Sequence, residues 1–386
     1  MAYMEAFPLQ FRPVTLQMTH NMKKIYTLII AAIMPAAISL AQESASTNIT
    51  GKEYPKINPD RTVIFKVDAP KAQSVSVDLE GRHAMSRNSQ GQWEVTTPPI
   101  TPGFHYYSLI VDGVKVSDPA SRQFFGSGSM MSGIEIPEVC VDYYLDMDVP
   151  HGEVRMQRYW SELTGSWRVC NVYVPAGYDS NPETRYPVLY LLHGAGEDET
   201  GWPNQGLMYN IMDNLIYEGS AVPMIVVMNH GVAKIPGIAS SNMFDFTAYE
   251  KLVIEELIPM IDSKYRTLAD RQHRGICGLS LGGFQSFTIA MNNRDKFSWL
   301  GGFSGSGKGP GTTADLYDSS MNDDFNLIFI STGKMESPQM YATVKNFHDI
   351  LDGAGVRHVF YQSAGTGHEW LTWRRSLYRL VPMLFK

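Results

Sequence analysis

The chain has 386 residues, of which 44% are hydrophobic and 18% are charged. This composition is ordinary for globular proteins and excludes a disordered chain, and at about 150 residues per domain the length predicts two or three domains. A net charge of −7 and the lack of a basic stripe argue against a nucleic-acid partner. The cysteines are too few and too far apart for a disulfide framework or a metal site, although one pair could still form a bridge. They are Cys140, Cys170 and Cys277.

The N-terminal segment has the pattern of an export signal. Met22 and the two lysines after it form a positive start, and the apolar run Ile25–Leu40 follows. The run is too short for a membrane span and contains Pro35, and Ala41 ends a small-x-small cleavage pattern. We therefore expect residues 1–41 to be an upstream extension plus a signal peptide, and the protein to be secreted or periplasmic.

Residues 42–125 contain short runs of alternating or β-branched residues separated by turn signals. Strands are predicted at Thr62–Val67, Ser74–Leu79, Gln92–Val95, Phe104–Val111 and Val114–Val116. The last two strands meet across Asp112-Gly113, a strong hairpin signal. Strands this dense, without a helical pattern between them, predict a small all-β, immunoglobulin-like sandwich. Gly126–Ser129 is expected to be flexible and residues 126–150 to form a linker.

Residues 151–386 alternate between strand-like apolar runs and helical patterns, which is typical of an α/β sheet. Strands are predicted at Trp167–Val174, Val188–Leu192, Met224–Met228, Arg274–Cys277, Trp299–Phe303, Asn326–Ser331 and Arg357–Gln362. Helices are predicted at Gly206–Tyr217, Phe246–Lys264, Gly283–Asn292, Gln339–Leu351 and Glu369–Phe385. Several strands are continuous apolar runs, as expected for buried parallel strands. The predicted fold class is therefore α/β, preceded by the sandwich.

The stretch Ile276–Gly283 contains the pattern G-x-S-x-G, in which a serine lies on a sharp turn between a strand and a helix. Gly278 and Gly282 leave the room that such a turn needs. The hydroxyl of Ser280 is then exposed at the carboxyl edge of the sheet. A plain Gly/Ser turn is the alternative, but a predicted strand precedes the pattern and a predicted helix follows it. Ser280 is therefore the candidate nucleophile.

A serine nucleophile needs a base and a group that orients the base. In the α/β-hydrolase fold these follow the serine in the order acid, then histidine. His368 is the favoured base, because it lies in a Gly-flanked loop between the last strand and the last helix; a capping or surface role is the alternative. The later histidines that fall in a helix and in a strand are His348 and His358.

The acid is expected in the loop after the predicted strand Asn326–Ser331, which makes Glu336 the best candidate. Its alternative is a helix N-terminal acid stabilised by the helix dipole. The rival carboxylates lie before that strand and are Asp315, Asp318, Asp323 and Asp324.

The oxyanion of an acyl-transfer reaction needs two backbone donors. One is expected to be the N–H of Leu281, directly after the nucleophile. The other is expected to be the N–H of Ala195, in the loop that follows an apolar strand and begins with His193-Gly194; His193 itself is interpreted as structural.

The stretch Gly302–Gly309 is close to the P-loop pattern but lacks the final hydroxyl residue. Nucleotide binding is therefore excluded, and this loop is expected to line the rim of the active site.

The chain resembles the secreted feruloyl and acetyl-xylan esterases of carbohydrate esterase family one, the esterase-D-like branch of the α/β hydrolases. Besides the elbow, the blocks that carry the resemblance are Arg168–Tyr178, Tyr190–Trp202, Asp213–Ile216, Ile258–Arg266 and Gly367–Arg374. The family usually has Asp as the acid, so Glu336 is a departure. The N-terminal sandwich resembles the early-set, glycogen-binding-type module of carbohydrate-binding module family 48. The residues that match are Gly91–Trp93, Val111–Gly113 and Asp118-Pro119.

The resemblance implies an α/β-hydrolase domain at residues 151–386 and a sandwich at residues 42–125. It implies a secreted serine esterase that acts on feruloylated or acetylated xylan and requires no metal or organic cofactor. Trp202 and Trp370 are candidates for holding an aromatic acyl group. The alternatives on the same fold are an acetyl-xylan esterase, a siderophore esterase or a mycolyl-type acyltransferase. An alternative of another class is a carbohydrate-binding protein that acts through the N-terminal module.

Overall fold

The computed structural model describes residues 42–238, 242–307 and 314–386. The predicted upstream extension and signal peptide, residues 1–41, lie outside the described residues. Residues Gln42–Lys386 form one compact unit. Within the described part of the chain, no helix is both long and apolar enough to cross a membrane.

The N-terminal part of this unit consists of two antiparallel sheets packed face to face. Its strands are β1 (Glu43–Ser44), β2 (Lys56–Ile57), β3 (Val63–Val67), β4 (Val75–Asp78), β5 (Arg82–Ala84), β6 (Ser86–Arg87), β7 (Trp93–Thr96), β8 (Gly103–Val111), β9 (Val114–Val116), β10 (Gln123–Gly126) and β11 (Ser129–Ile136). One sheet has the order β1-β2-β3-β7-β6, and the other has the order β10-β11-β8-β4-β5 with β9 on β8. Alternate residues point inward, so that Phe65 of the first sheet contacts Tyr107 of the second across the core. The predicted sandwich is confirmed.

The sandwich extends beyond the predicted boundary at residue 125, so the expected linker is wrong in its first part. Strands β10 and β11 pair as a hairpin, and β11 also pairs with β8. The prediction missed β11 because it contains Gly133, which is unfavourable in a strand pattern. In the structure a Cβ at Gly133 would lie 2.6 Å from the rings of Phe104 and Phe124, so the glycine makes room for these two rings.

The rest of the unit is an eight-stranded sheet covered by helices on both faces. Its strands are β12 (Glu153–Ser161), β13 (Ser166–Val174), β14 (Val188–Leu192), β15 (Ile225–Asn229), β16 (Arg274–Leu279), β17 (Trp299–Phe303), β18 (Leu327–Gly333) and β19 (Val359–Ser363). The strand order is β12-β13-β15-β14-β16-β17-β18-β19. Strands β14 to β19 are parallel, whereas β12 and β13 are antiparallel to their neighbours. This confirms the predicted α/β class.

The helices of the α/β part are α1 (Gly201–Asn204), α2 (Met208–Tyr217), α3 (Thr247–Leu252), α4 (Ile258–Lys264), α5 (Leu281–Asn292), α6 (Met321–Asp324), α7 (Pro338–Gly353) and α8 (Trp370–Leu380). The five predicted helices fall close to their predicted positions, and the two short helices α1 and α6 were not predicted. A π-helical segment, Val253–Leu257, joins α3 to α4. Apolar residues of α3, α4, α5 and α7 share one core with the sheet, and those of α2 and α8 share the other. Strand β12 was not predicted, because this edge strand exposes apolar side chains such as Met156 and Trp160.

The sandwich and the α/β part share a buried interface. The guanidinium of Arg374 on α8 is fully buried and donates two hydrogen bonds, of 2.8 and 2.9 Å, to the carboxylate of Glu135 on β11. It also donates through Nε to the carbonyl of Gln205 at 2.9 Å and lies over the ring of Tyr144. A buried charge is tolerated only when it is paired and hydrogen-bonded in this way. The two parts are therefore joined by specific contacts.

Candidate active site

Ser280 lies on the sharp turn that the sequence predicts between β16 and α5. Its backbone has φ 50° and ψ −118°, a conformation that is costly for a residue with a side chain. A Cβ at Gly278 would lie 2.6 Å from the backbone of Gly282, and a Cβ at Gly282 would lie 2.4 Å from the carbonyl of His193. The two glycines are thus required by the close approach of the backbone around Ser280.

Three side chains that the sequence analysis selected form one row of hydrogen bonds. His368 Nε2 lies 3.0 Å from the hydroxyl oxygen of Ser280, and His368 Nδ1 lies 3.2 Å from Oε2 of Glu336. With an ionised carboxylate at Glu336, Nδ1 carries the proton and Nε2 is left to accept the serine proton. The arrangement matches the geometry of a nucleophile, a base and an orienting acid.

Glu336 follows β18, and both oxygens of its carboxylate accept hydrogen bonds. Oε1 accepts hydrogen bonds from the Ser304 hydroxyl and from the N–H of Gly333, the latter at 3.0 Å. Burial by itself raises the pKa of Glu336, but the hydrogen bonds from His368, Ser304 and Gly333 outweigh burial and lower the pKa below its usual value. The carboxylate therefore stays ionised beside His368 at neutral pH.

Ser304 is a residue of the site that the sequence analysis did not select. Its hydroxyl donates to Glu336 and accepts a 3.0 Å hydrogen bond from Trp373 Nε1. It follows β17, in the Gly-rich loop that was rejected as a P-loop, and it has a positive φ of 56°. The described part of this loop also contacts Ser280, because a Cβ at Gly305 would lie 2.0 Å from the carbonyl oxygen of Ser280. Ser304 and Gly305 therefore lie directly beside Glu336 and Ser280, whereas no described residue of this loop lines the cavity, so that its predicted place at the rim stays a prediction.

The two expected oxyanion donors lie on either side of Ser280. Leu281 is the first residue of α5, so its N–H has no acceptor within the helix. Ala195 follows β14 and lines the same cavity as Ser280. The loop is fixed by His193, whose Nδ1 donates to the carbonyl of Gly194 and whose Nε2 accepts from the N–H of Gly231, both at 2.8 Å. Burial lowers the pKa of His193 to about 4, so that the ring is neutral in this structural role.

The cavity at Ser280 has a volume of about 300 Å³, and residues of the sandwich form part of its wall. Residues from the α/β part that line it are Gly194, Ala195, Glu197, Leu279, Ser280, His368, Glu369, Trp370 and Trp373. Residues from the sandwich that line it are Phe104, His105, Tyr106 and Ser127. The sequence analysis treated Phe104–Val111 only as a strand, because nothing in one sequence indicates which loop a distant strand will meet.

The turn between β10 and β11 packs directly against residues 193–197 after β14, which are called the oxyanion loop here because they include the expected donor Ala195. The N–H of Gly128 donates a 2.8 Å hydrogen bond to the carbonyl of Gly196. Gly196 has φ 75°, and a Cβ there would lie 2.9 Å from the Cα of Ser127. Glycine is thus required at position 196 both by its conformation and by the contact.

The two tryptophans proposed as substrate contacts differ in position. Trp202 is only 1% exposed, donates from Nε1 to the carbonyl of Leu192 at 3.0 Å and does not line the cavity, so its assignment is wrong. Trp202 instead fills the core beside Trp370, with the two rings edge to face at 5.5 Å. Trp370 does line the cavity.

Among the described residues, no cluster of three or more potential metal ligands is present.

The family model Esterase, described as "Putative esterase", matches residues 161–384. An endo-1,4-beta-xylanase/feruloyl esterase of Xylanibacter ruminicola is 39% identical over 348 residues, 88% of this chain and 47% of that protein, so the chain spans about half of its length. A solved CE1 ferulic acid esterase of Anaeromyces mucronatus in complex with ferulic acid is 26% identical, with a TM-score of 0.56 over 64% of this chain and 96% of the other. The enterobactin esterase of Shigella flexneri shares the fold alone, with a TM-score of 0.62 and 16% identity over 83% of this chain and 92% of the other. As the resemblance predicted, the chain belongs to the esterase family and has the α/β-hydrolase fold.

Proposed function

We propose that this chain is a serine esterase that removes ester substituents from plant cell-wall polysaccharide, with feruloyl esters of arabinoxylan as its preferred substrates. The observation that carries the proposal is the row of hydrogen bonds from Ser280 through His368 to Glu336, on the turn and loops where this fold holds a nucleophile, a base and an acid. The names of the relatives, a xylanase/feruloyl esterase and a ferulic acid esterase, support the substrate class.

In the proposed reaction Ser280 attacks the ester carbonyl while His368 Nε2 accepts its proton. Glu336 keeps the imidazole in the required tautomer and stabilises its positive charge. The N–H groups of Ala195 and Leu281 bind the oxyanion of the tetrahedral intermediate. His368 then returns the proton to the leaving sugar hydroxyl, and an acyl group remains on Ser280. Water activated by His368 releases the acid in the second half of the reaction.

The walls of the cavity favour an aromatic acyl group over an acetyl group. Phe104, Trp370 and Trp373 line it, and large flat side chains of this kind pack against aromatic rings. Its volume of about 300 Å³ lies in the range of pockets that bind small organic ligands. An acetyl group would leave most of this space without contacts. A comparison of kcat/KM for methyl ferulate and a short acetyl ester separates the feruloyl esterase from an acetyl-xylan esterase.

The test of the mechanism is Ser280→Ala, for which we expect a fall in kcat on the order of 10⁶ with methyl ferulate. Ser286→Ala is the matched control, because Ser286 lies on α5, the helix that follows Ser280, and its hydroxyl donates to the carbonyl of Gly282. The control is expected to keep activity of the wild-type order. A Ser280→Ala protein that retains a tenth of the wild-type rate would contradict the assignment.

We further propose that residues 151–386 form the catalytic domain, that a β-module precedes it, and that residues 22–41 direct export. The support for export is the sequence pattern of a positive start, an apolar run and a small-x-small site before Gln42. The N-terminal sequence of the exported protein checks the cleavage near Ala41.

A further inference from the structure

The cavity at Ser280 contains a second group of polar side chains, which comes from both parts of the molecule. Tyr106 of β8 and Glu197 of the oxyanion loop both line it. The Tyr106 hydroxyl donates a 2.9 Å hydrogen bond to Oε1 of Glu197. The same hydroxyl accepts a 2.7 Å hydrogen bond from Nε2 of Gln205, which is fully buried. These hydrogen bonds fix the phenol and the carboxyl group in one place.

Two tryptophans connect this polar group to the catalytic histidine. The ring of Trp373 lies edge to face against His368 at 5.2 Å, and the ring of Trp370 lies edge to face against Trp373 at 5.2 Å. Trp370 Nε1 is 3.4 Å from the hydroxyl of Tyr106. An aromatic wall therefore runs from the base at one end of the cavity to Tyr106 at the other.

The carboxyl group of Glu197 retains capacity for a ligand. Oε1 accepts the hydrogen bond from Tyr106, whereas within the described residues Oε2 accepts a long, weak hydrogen bond of 3.5 Å from Gln205 Nε2. Burial raises the pKa of Glu197 to about 7, so that near neutral pH both the protonated and the ionised carboxyl group are populated. In either state Oε2 can take a hydrogen bond with a hydroxyl group.

We propose that Glu197, positioned by its hydrogen bond from Tyr106, forms a specificity site that holds the ring hydroxyl of a hydroxycinnamoyl group while Ser280 attacks its carbonyl. This inference rests on the proposed function and names the residues that would select its acyl group. The acyl group fits better than the sugar, because Glu197 and its neighbour Gln205 are only 9% and 0% exposed, so that this part of the site lies away from solvent. An acyl group ends at its ring, whereas a sugar within a polysaccharide must continue into solvent.

A site built to hydrogen-bond a hydroxyl group discriminates strongly against an analogue that lacks it, because its own polar groups are then left buried and unpaired. For a hydrogen bond to a charged or partly charged group we expect about 10- to 100-fold in kcat/KM. The wild-type protein should therefore hydrolyse methyl p-coumarate about 10- to 100-fold better than methyl cinnamate, which lacks the ring hydroxyl. Methyl esters remove the sugar from the comparison, so that only the acyl group is tested.

The experiment measures the ratio of kcat/KM for methyl p-coumarate to that for methyl cinnamate in the purified full chain and in three variants. In Tyr106→Phe and Glu197→Gln the ratio is expected to fall to about 1–3, because the group that distinguishes the ring hydroxyl is lost or displaced, whatever the absolute rate of each variant. Tyr107→Phe is the matched control, since the neighbouring Tyr107 points into the sandwich core and donates to Asp118. Its ratio is expected to equal that of the wild type. A ratio does not depend on the fraction of folded protein, so partial misfolding leaves the test intact.

The possible outcomes separate this inference from the proposed function. Hydrolysis of both cinnamates with equal kcat/KM by the wild type, or an unchanged ratio in Tyr106→Phe and Glu197→Gln, would overturn the specificity site alone. Ser280-dependent hydrolysis of an acetyl ester without hydrolysis of either cinnamate would overturn both. A wild-type preference for coumarate that disappears in both variants and persists in Tyr107→Phe would support it.

Discussion

The proposed acid, Glu336, is held in place by the hydroxyl of Ser304. Ser304 donates to Oε1 of Glu336 and accepts from Trp373, while Oε2 of the same carboxylate faces His368. The hydrogen bond from Ser304 therefore orients the carboxylate of Glu336 and contributes to the lowering of its pKa. A glutamate side chain has one more torsion angle than an aspartate, and these hydrogen bonds restrict that angle in Glu336.

Ser304→Ala is expected to lower kcat about tenfold, because one hydrogen bond to a charged group is lost and the carboxylate is less well oriented. The loss should be larger at pH 5 than at pH 8. Removal of a hydrogen bond that lowers the pKa of Glu336 raises this pKa, so more of the carboxylate is protonated in acid. Steady-state rates with methyl ferulate at the two pH values measure the effect.

Ser306→Ala is the matched control for this prediction. It lies in the same loop and is buried, and its hydroxyl makes no hydrogen bond within the described residues. We expect its kcat to remain within twofold or so of the wild type. Equal losses in both variants would indicate a general effect on the loop instead of support for Glu336.

At the scale of elements, the β10–β11 turn and the oxyanion loop act as one structural unit. Gly196→Ala would place a Cβ 2.9 Å from Ser127 Cα at a residue with φ 75°. The loop must then move away from the turn, and with it Ala195. Removal of one oxyanion donor costs roughly 10²–10³ in kcat, so a displaced donor is expected to cost at least about tenfold in kcat with a smaller change in KM.

Gly165→Ala separates backbone strain from displacement of the loop. Gly165, between β12 and β13, has a comparable φ of 60°, but nothing lies within 4 Å of its added Cβ. This variant is expected to lose about 1 kcal/mol of stability from strain and to keep its kcat. Melting temperatures and kcat values of both variants provide the measurement, and an equal kcat in Gly196→Ala and the wild type would contradict the prediction.

The elements that the sequence predicted best are those whose signal is local. The elbow at Ser280 and the loops that carry His368 and Glu336 follow from glycine patterns and from the order of strands and helices. Tyr106 and Ser127 could not be predicted, because their contacts join parts of the chain that are distant in sequence; Tyr106 and Glu197 are 91 residues apart. The predicted boundary of the sandwich was wrong for a related reason. Gly133 weakened the strand pattern of β11, and the glycine is needed there because the rings of Phe104 and Phe124 pack against it.

At the scale of the whole molecule, the sandwich is integrated with the α/β part and is not an independent attachment. It provides Tyr106 and Phe104 to the cavity, supports the oxyanion loop and neutralises Arg374 in the interior. Phe104 shares a buried apolar cluster with residues of α8. We therefore expect residues 42–386 to unfold in one cooperative transition.

The Glu135–Arg374 pair provides the test of this coupling. Glu135→Leu leaves a fully buried guanidinium without its carboxylate, and breaking a buried pair in this way costs about 3–5 kcal/mol. The double variant Glu135→Leu/Arg374→Met removes both charges and is expected to recover part of that loss, although the hydrogen bond from Arg374 to the Gln205 carbonyl is lost as well. Denaturant unfolding followed by fluorescence and by esterase activity measures both the free energy and the coupling. If activity were lost at a lower denaturant concentration than the rest of the structure in the wild type, or if the double variant were less stable than Glu135→Leu, the sandwich and the catalytic part would not be coupled through this pair.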